Sequence, residues 1–155
     1  MSNVLNPVEL TSALIKCRSI TPTSAGSIDL IISYLEPMGF TCTKIDFGQG
    51  DEKVENLYAR FGSLEPNICF AGHVDVVPTG DEQSWSIDPF GGEIKKGKIW
   101  GRGAADMKSG IAAFIAAVSE FMETNKNLKD YGSISFIITS LSLIHISEPT
   151  RPSSI

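Results

Sequence analysis

The chain has 155 residues, a formal net charge of −5 and 42% hydrophobic residues, which is enough for one domain with a buried core. No long run of basic residues occurs, so the composition gives no reason to expect nucleic acid or a membrane as a partner. The most apolar stretch, at 111–118, is too short to cross a bilayer, and the first ten residues do not resemble a secretory signal. The three cysteines are widely spaced without a CxxC pair, which argues against a disulfide framework or a zinc ribbon and predicts a reduced, cytoplasmic setting.

Helical and strand-like patterns follow one another along the chain. Asn6 and Pro7 are typical of a helix N-cap and the first helical position after it, and Pro37 and Gly39 end a second helical pattern. A later helix is apolar nearly all round, which predicts burial against a sheet. The predicted elements are, in chain order, helices at about 7–17 and 28–35, strands at 40–47, 56–61 and 67–77, a hairpin at 92–101, a helix at 109–122 and a strand at 132–139. This order predicts a layered α/β domain.

A histidine and an aspartate stand two residues apart at the end of the third predicted strand. In an extended chain, His73 and Asp75 point to the same face, and a metal-bound imidazole commonly donates its second N–H to a carboxylate. The neighbouring Gly72 and Pro78 allow close approach and end the strand at a loop. The pair alone is also typical of a histidine hydrogen-bonded to a surface carboxylate, so both interpretations stay open at this point.

A turn of small residues at 101–110 brings one acidic residue to the start of the next predicted helix. Asp106 is either an ordinary first-turn acid favoured by the helix dipole or a carboxylate that binds one cation with each oxygen. A dinucleotide site is a further alternative, because Gly101 and Gly103 lie between a strand and a helix. The third glycine of that fingerprint is absent, and a carboxylate at this position would repel a pyrophosphate, so the sequence disfavours this alternative.

Together, the segment GHVDVVPTGDEQSWSIDPF and the later segment GRGAADMKSGIAA resemble a metallopeptidase family. That family includes aminoacylases, acetylornithine deacetylases, glutamate carboxypeptidases and succinyl-diaminopimelate desuccinylases. The GRGAADMK form, the segment 85–90 and the loop 19–22 are most similar to the desuccinylases, which remove succinate from N-succinyl-LL-2,6-diaminopimelate on the route to lysine and diaminopimelate. The resemblance runs from the N-terminal helix to about Ser140 and covers less than half of a complete family member.

The resemblance implies the N-terminal part of a zinc-peptidase-like catalytic domain, α/β with a mixed sheet covered by helices. It implies two divalent metal ions, Zn²⁺ or Co²⁺, with His73 bound to one of them and Asp106 bridging both. Asp75 is then the catalytic-site carboxylate that holds His73, and the peptide bond after Asp106 is often cis in this family. The implied partner is a small N-acyl amino acid substrate, and the whole parent protein is expected to form a homodimer. The implied chemistry is metal-assisted amide hydrolysis with a glutamate as general base.

The sequence departs from the family after the strand at 132–139. Family members carry an acidic pair there, one member being the general base and the other a metal ligand, whereas this chain reads TSLSL at 139–143. The only other histidine, His145, lies outside any matching motif and is not predicted to be a ligand. The metal centre is therefore expected to be incompletely ligated, and the chain as given is expected to be inactive.

Residues 1–140 are predicted to be the N-terminal portion of a metallohydrolase catalytic domain. Residues 141–155 are predicted to be a non-family, non-native and disordered tail that resembles translated cloning sequence. The strand at 132–139 is expected to be central yet to lack its later neighbours, which leaves exposed edges and an uncovered sheet face. Two other functions stay open: a deacylase of another N-acyl amino acid such as acetylornithine, and a non-catalytic binding module that has lost its base.

Overall fold

The computed structural model describes residues 4–48 and 53–141. Three α-helices and six strands lie in these ranges, so every predicted element is present, although several bounds differ. They are α1 (Pro7–Lys16), α2 (Ser27–Leu35), β1 (Thr41–Phe47), β2 (Val54–Phe61), β3 (Asn67–His73), β4 (Glu93–Lys95), β5 (Lys98–Trp100), α3 (Ser109–Thr124) and β6 (Ser133–Thr139). None of the helices in the described ranges combines the length and apolar character that crossing a membrane requires.

Local sequence explains how two of these elements begin and turn. The Asn6 side chain accepts a hydrogen bond from the backbone N–H of Val8 at 2.9 Å, and Pro7 occupies the first position of α1. Lys96 and Gly97, with φ of 52° and 72°, form the two-residue turn between β4 and β5. The predicted N-cap and the predicted hairpin are both confirmed.

Four strands form one mixed sheet in the order β1-β2-β6-β3. The β1–β2 and β2–β6 pairs are antiparallel, and the β3–β6 pair is parallel. The predicted α/β class with a mixed sheet is confirmed. β6 is central within this sheet, as predicted, and both of its partners, β2 and β3, come from earlier in the chain. The edges of the sheet among the described strands are β1 and β3, and Ile68 on β3 is 62% exposed.

Side chains of the three helices and of one face of the sheet form a single core. Ile134, Phe136 and Ile138 occupy alternate positions of β6 and belong to this core. The ring centroid of Phe136 lies 5.4 Å from that of Phe40 and 5.3 Å from that of Phe114. Helix and sheet residues that complete the core include Leu10, Leu14, Ile28, Ile31, Leu35, Leu57, Ala59, Ile111 and Ile115. This packing fixes β6 and, through the parallel pairing, the position of β3 beside it.

The opposite face of the sheet carries exposed apolar side chains. Ile137 lies between two buried neighbours on β6, yet it is 42% exposed, and Phe47 on β1 is 63% exposed. A groove of about 490 Å³ runs over this face. It is lined by Ile45, Phe47, Val54, Asn56, Leu57, Tyr58, Ile137, Thr139 and Leu141. The predicted uncovered sheet face is therefore present within the described ranges.

The strand that carries the histidine, β3, ends at His73 and is shorter than predicted. The N–H of Val74 still donates to the backbone oxygen of Thr139 at 2.8 Å, the last residue of β6. Beyond that point Val76 pairs with the loop before α2, and its N–H donates to the backbone oxygen of Ser19 at 2.8 Å. The apolar residues after β3 thus owe their burial to a loop, which a strand-like sequence pattern does not reveal.

The predicted tail at 141–155 lies, apart from Leu141, outside the described residues. His145 falls in the same segment. The boundary near residue 140 and the non-family character of the tail therefore stay predictions.

Candidate metal centre

The end of β3 presents a histidine whose two ring nitrogens have different surroundings. Nδ1 of His73 lies 3.1 Å from Oδ1 of Asp75 and 3.1 Å from the backbone oxygen of Asp75. Both oxygens are acceptors, so the contact requires a proton on Nδ1. The lone pair of Nε2 is then free to bind a cation, as in metal-bound histidines whose other nitrogen donates to a carboxylate. The predicted pair therefore forms, although Asp75 follows β3 and does not lie on it.

The loop before α2 holds Asp75, which is only 4% exposed. The hydroxyl of Thr21 donates a hydrogen bond to Oδ2 of Asp75. The loop is tied in turn to the chain after β3: Ser19 Oγ donates to the oxygen of Val74 at 2.7 Å, and the N–H of Thr21 donates to the oxygen of Val76 at 3.1 Å. One oxygen of the carboxylate thus faces the imidazole and the other faces the hydroxyl. This support was not predictable from the sequence, because residues more than 50 apart give no spacing signal.

The second acidic residue lies in an irregular turn, Ala104–Lys108, between β5 and α3. Asp106 and Met107 leave the helical region, with φ/ψ of −128°/98° and −132°/29°. The peptide bond between them is cis, as the resemblance implied. Gly101 begins this region with a φ of 150°, and a Cβ there would lie 2.5 Å from Cγ2 of Ile15. The turn is therefore held close to α1, while the carboxylate of Asp106 remains 87% exposed.

The turn and the strand end meet at the histidine. Oδ1 of Asp106 lies 3.4 Å from Nε2 of His73. With the proton on Nδ1, two lone-pair donors face each other, which is unfavourable unless a metal ion lies between them or a second proton occupies Nε2. The structure thus brings together His73, Asp75 and Asp106, the three residues that the sequence singled out. Their roles as metal ligand, orienting carboxylate and metal bridge remain predictions.

This donor set suits a divalent metal ion in chemical type but not in number. Imidazole nitrogen and carboxylate oxygen are ordinary zinc ligands, whereas zinc takes three or four ligands from a protein. Within residues 4–48 and 53–141, no group of three or more histidine, cysteine, aspartate or glutamate side chains could hold a metal ion. The described residues therefore fit part of a metal centre and do not complete one.

A fully buried lysine joins the turn to the end of α1. Nζ of Lys108 donates to the backbone oxygens of Leu14 at 2.8 Å and of Cys17 at 2.9 Å, at the helix end where positive charge is favourable. Burial lowers the pKa of Lys108 to about 8, and the nearby Cys17 and Asp75 oppose that shift. Burial raises the pKa of the Cys17 thiol, and the Lys108 charge opposes that rise. Lys108 was not singled out from the sequence, although a charged residue directly before an apolar helix is an available signal.

A cavity of about 300 Å³ opens beside the histidine. Its wall includes Asp106 and a cation–π pair, in which Cζ of Arg102 lies 4.9 Å from the ring centroid of Trp85. The other lining residues are Asp75, Val76, Val77, Gly101, Gly103, Ala104 and Ala105. The volume suits a small molecule. Arg102 was not identified from the sequence, since neither its spacing nor its neighbours mark it as different from other surface arginines.

Comparisons with known proteins show what this region is similar to. Residues 69–140 match peptidase family M20/M25/M40. Succinyl-diaminopimelate desuccinylase from Rhodospirillum centenum is 56% identical over 135 residues, which are 86% of this chain and 34% of that protein. This chain thus spans about a third of the length of the curated relatives that it matches.

Solved structures show the same fold. Human carnosine dipeptidase 1 superposes with a TM-score of 0.71 at 25% identity, over 90% of this chain and 34% of that one. The M20 family metallo-carboxypeptidase Sso-CP2 from Sulfolobus solfataricus gives a TM-score of 0.67 at 20% identity, over 86% of this chain and 30% of that one. At the latter identity the likeness concerns the fold alone. Residues 69–140 thus match the model of peptidase family M20/M25/M40, and the chain is similar to the N-terminal third of succinyl-diaminopimelate desuccinylases.

Proposed function

We propose that this chain carries the N-terminal part of the metal site of an amidohydrolase. The whole protein hydrolyses N-succinyl-LL-2,6-diaminopimelate to succinate and LL-2,6-diaminopimelate. The observation that carries the proposal is the approach of His73 Nε2 to Asp106 Oδ1 at 3.4 Å, with Asp75 on the other ring nitrogen. The choice of substrate rests on the similarity to proteins named succinyl-diaminopimelate desuccinylase.

Each of the three residues has a distinct task in this proposal. His73, through Nε2, would be a ligand of one divalent ion, zinc or cobalt, and the carboxylate of Asp106 would be the ligand shared with a second ion. When bound, such ions polarise the scissile carbonyl and lower the pKa of a shared water. Asp75 keeps the imidazole in the tautomer that leaves Nε2 free, and the hydroxyl of Thr21 keeps Asp75 in place.

The chain by itself is proposed to be inactive. The sequence TSLSL at 139–143 stands where the resemblance implies an acidic pair with the general base. Without that base, proton removal from the attacking water lacks its acceptor. We expect the purified 155-residue chain, supplied with zinc or cobalt, to release no succinate from N-succinyl-diaminopimelate. Measurable turnover that survives removal of contaminating enzyme contradicts this part of the proposal.

Metal binding is tested by titrating the chain with Co²⁺ and recording its visible absorption. We expect weak binding that disappears in His73→Ala and persists in His145→Ala, the matched control because it removes the only other histidine. Asp106→Asn is expected to weaken binding, since the amide has no charge to attract the ion. Identical titrations for His73→Ala and the unmodified chain overturn the assignment of His73.

The whole protein's activity requires the rest of a catalytic domain. A chimera of residues 1–140 with the remaining part of the Rhodospirillum centenum desuccinylase supplies it, and the 56% identity between the two favours correct packing. We expect metal-dependent hydrolysis of N-succinyl-diaminopimelate, lost in His73→Ala and Asp106→Ala. A folded, metal-loaded chimera without activity argues against a catalytic role for these residues.

The substrate itself is tested on the complete gene product of the source genome. N-succinyl-diaminopimelate is expected to be hydrolysed far faster than N-acetylornithine. The reverse preference supports the alternative deacylase. The genomic sequence after codon 140 provides an independent check, because the proposal expects an acidic pair there.

A further inference from the structure

Two arginines of the described chain stack on aromatic rings, but only one of them has a carboxylate partner. Cζ of Arg18 lies 4.4 Å from the ring centroid of Phe90, and its Nη2 forms an ion pair with Glu82 at 2.5 Å. Arg102 stacks on Trp85 at 4.9 Å, and no carboxylate in the described ranges lies within ion-pair distance of it. The two residues thus have the same kind of aromatic support and differ in how their charge is balanced.

The Nε of Arg102 is buried and has no hydrogen-bond partner among the described residues. Buried polar groups without a partner are few in native proteins, and each one requires an explanation such as a bound ligand or a catalytic role. The backbone around it is fixed, because the N–H of Arg102 donates to the oxygen of Pro89 at 2.7 Å and the neighbouring Gly101 packs closely against Ile15. The guanidinium is therefore held at the cavity wall by its backbone and by Trp85, not by another charge.

The same cavity, about 300 Å³ in volume, is also lined by His73 and Asp106. A guanidinium binds a carboxylate through two parallel hydrogen bonds, and it does so best where few other charges compete. We propose that Arg102, supported by Trp85, binds the free carboxylate of a dicarboxylic acyl group whose amide end lies at His73 and Asp106. The inference rests on the proposed function, because it takes the ligand to be an N-acyl amino acid, and it narrows the acyl group to one with an anionic end.

The test uses succinate as the probe and the ¹⁵N-labelled 155-residue chain in metal-free buffer. The chain has two tryptophans, so its spectrum contains two indole N–H signals, which Trp85→Phe assigns. We expect succinate to shift the Trp85 signal in a saturable way and to leave that of Trp100 unchanged, which serves as the internal control. Succinamide, which has the same length without charge, is expected to cause no shift. Diaminopimelate tests the other source of carboxylate, and an equal shift with it overturns the assignment to the acyl group.

Two variants separate the contribution of Arg102 to succinate binding from that of Arg18. Arg102→Gln is expected to weaken succinate binding at least about tenfold, as loss of a charge-assisted contact does. Arg18→Gln, which removes the paired arginine, is expected to bind succinate like the unmodified chain. An unchanged Trp100 signal shows that each variant is folded. Equal binding by Arg102→Gln, or the absence of a saturable Trp85 shift in the unmodified chain, overturns the proposal. Because no metal ion is present, either result leaves the metal-site proposal to its own cobalt titration.

Discussion

Successive side chains of each strand point to opposite faces of the sheet, yet only one of these faces is covered in the described chain. On β6, Phe136 and Ile138 are fully buried under the helices, while Ile137 between them is 42% exposed. Both faces are apolar at this point. A continuous apolar run is typical of a strand buried on both faces, whereas the described residues cover only one face of β6. The apolar sequence of β6 therefore predicts more burial than the described residues provide.

The candidate metal centre takes its support from the covered side. Asp75 is held by the loop that precedes α2, and Lys108 ties the Asp106 turn to the end of α1. All of these contacts are made within the described residues. The arrangement of His73, Asp75 and Asp106 is therefore supported even though the described residues do not complete a metal centre.

The largest expected effect on stability is a difference between two adjacent isoleucines of β6, Ile137 and Ile138. Ile138→Ala removes a side chain from the core and is expected to lower the free energy of unfolding by about 2–5 kcal/mol. Ile137→Ala, the matched control on the open face, is expected to cost less than about 1 kcal/mol, since little burial is lost. Urea denaturation of both variants measures the difference. An equal loss of unfolding free energy in both variants would mean that the open face is covered in solution and would contradict the difference between the two faces.

A smaller effect is expected from the charge buried on the covered side. The pKa of Lys108 falls from 10.5 in the unfolded chain to about 8 in the folded one. Between these values the unfolded chain binds more protons, so the free energy of unfolding rises with pH, by up to about 3 kcal/mol from this group. Urea unfolding from pH 7.5 to 10.5, under reducing conditions, is expected to show this rise in the unmodified chain. The contribution should be missing in Lys108→Met, and parallel profiles for the two proteins contradict the prediction.

The smallest effect on stability, and a clear effect on association, is expected at the open face. Phe47 is 63% exposed, so Phe47→Lys is expected to change the free energy of unfolding by less than about 0.5 kcal/mol. We expect the exposed apolar groove to promote self-association of the chain, and the added charge should reduce it. Sedimentation velocity at several concentrations measures the change. Val8→Lys, at another exposed apolar position, 40% exposed and on α1, is the control and should leave association unaltered.

Several features were predictable because they depend on neighbours in sequence. The N-cap at Asn6 and the turn at Lys96 and Gly97 follow from local backbone chemistry. His73, Asp75 and Asp106 could be singled out because two short motifs carry them at fixed positions, and their roles at a metal stay predictions. The end of β3 was placed too late because Val76 is buried by a distant loop, and local pattern does not distinguish that from sheet pairing.

By itself, the sequence determined the order of helices and strands, the α/β class, and which histidine and carboxylates could act together. These depend on periodicity and on motifs, which are local properties. Only the tertiary structure decided that β6 lies between two earlier strands, that Lys108 joins the turn to α1, and that Arg102 has no carboxylate partner among the described residues beside the cavity. Such facts depend on contacts between residues far apart in the chain, and burial and pairing at those distances are set by packing, which no local pattern encodes.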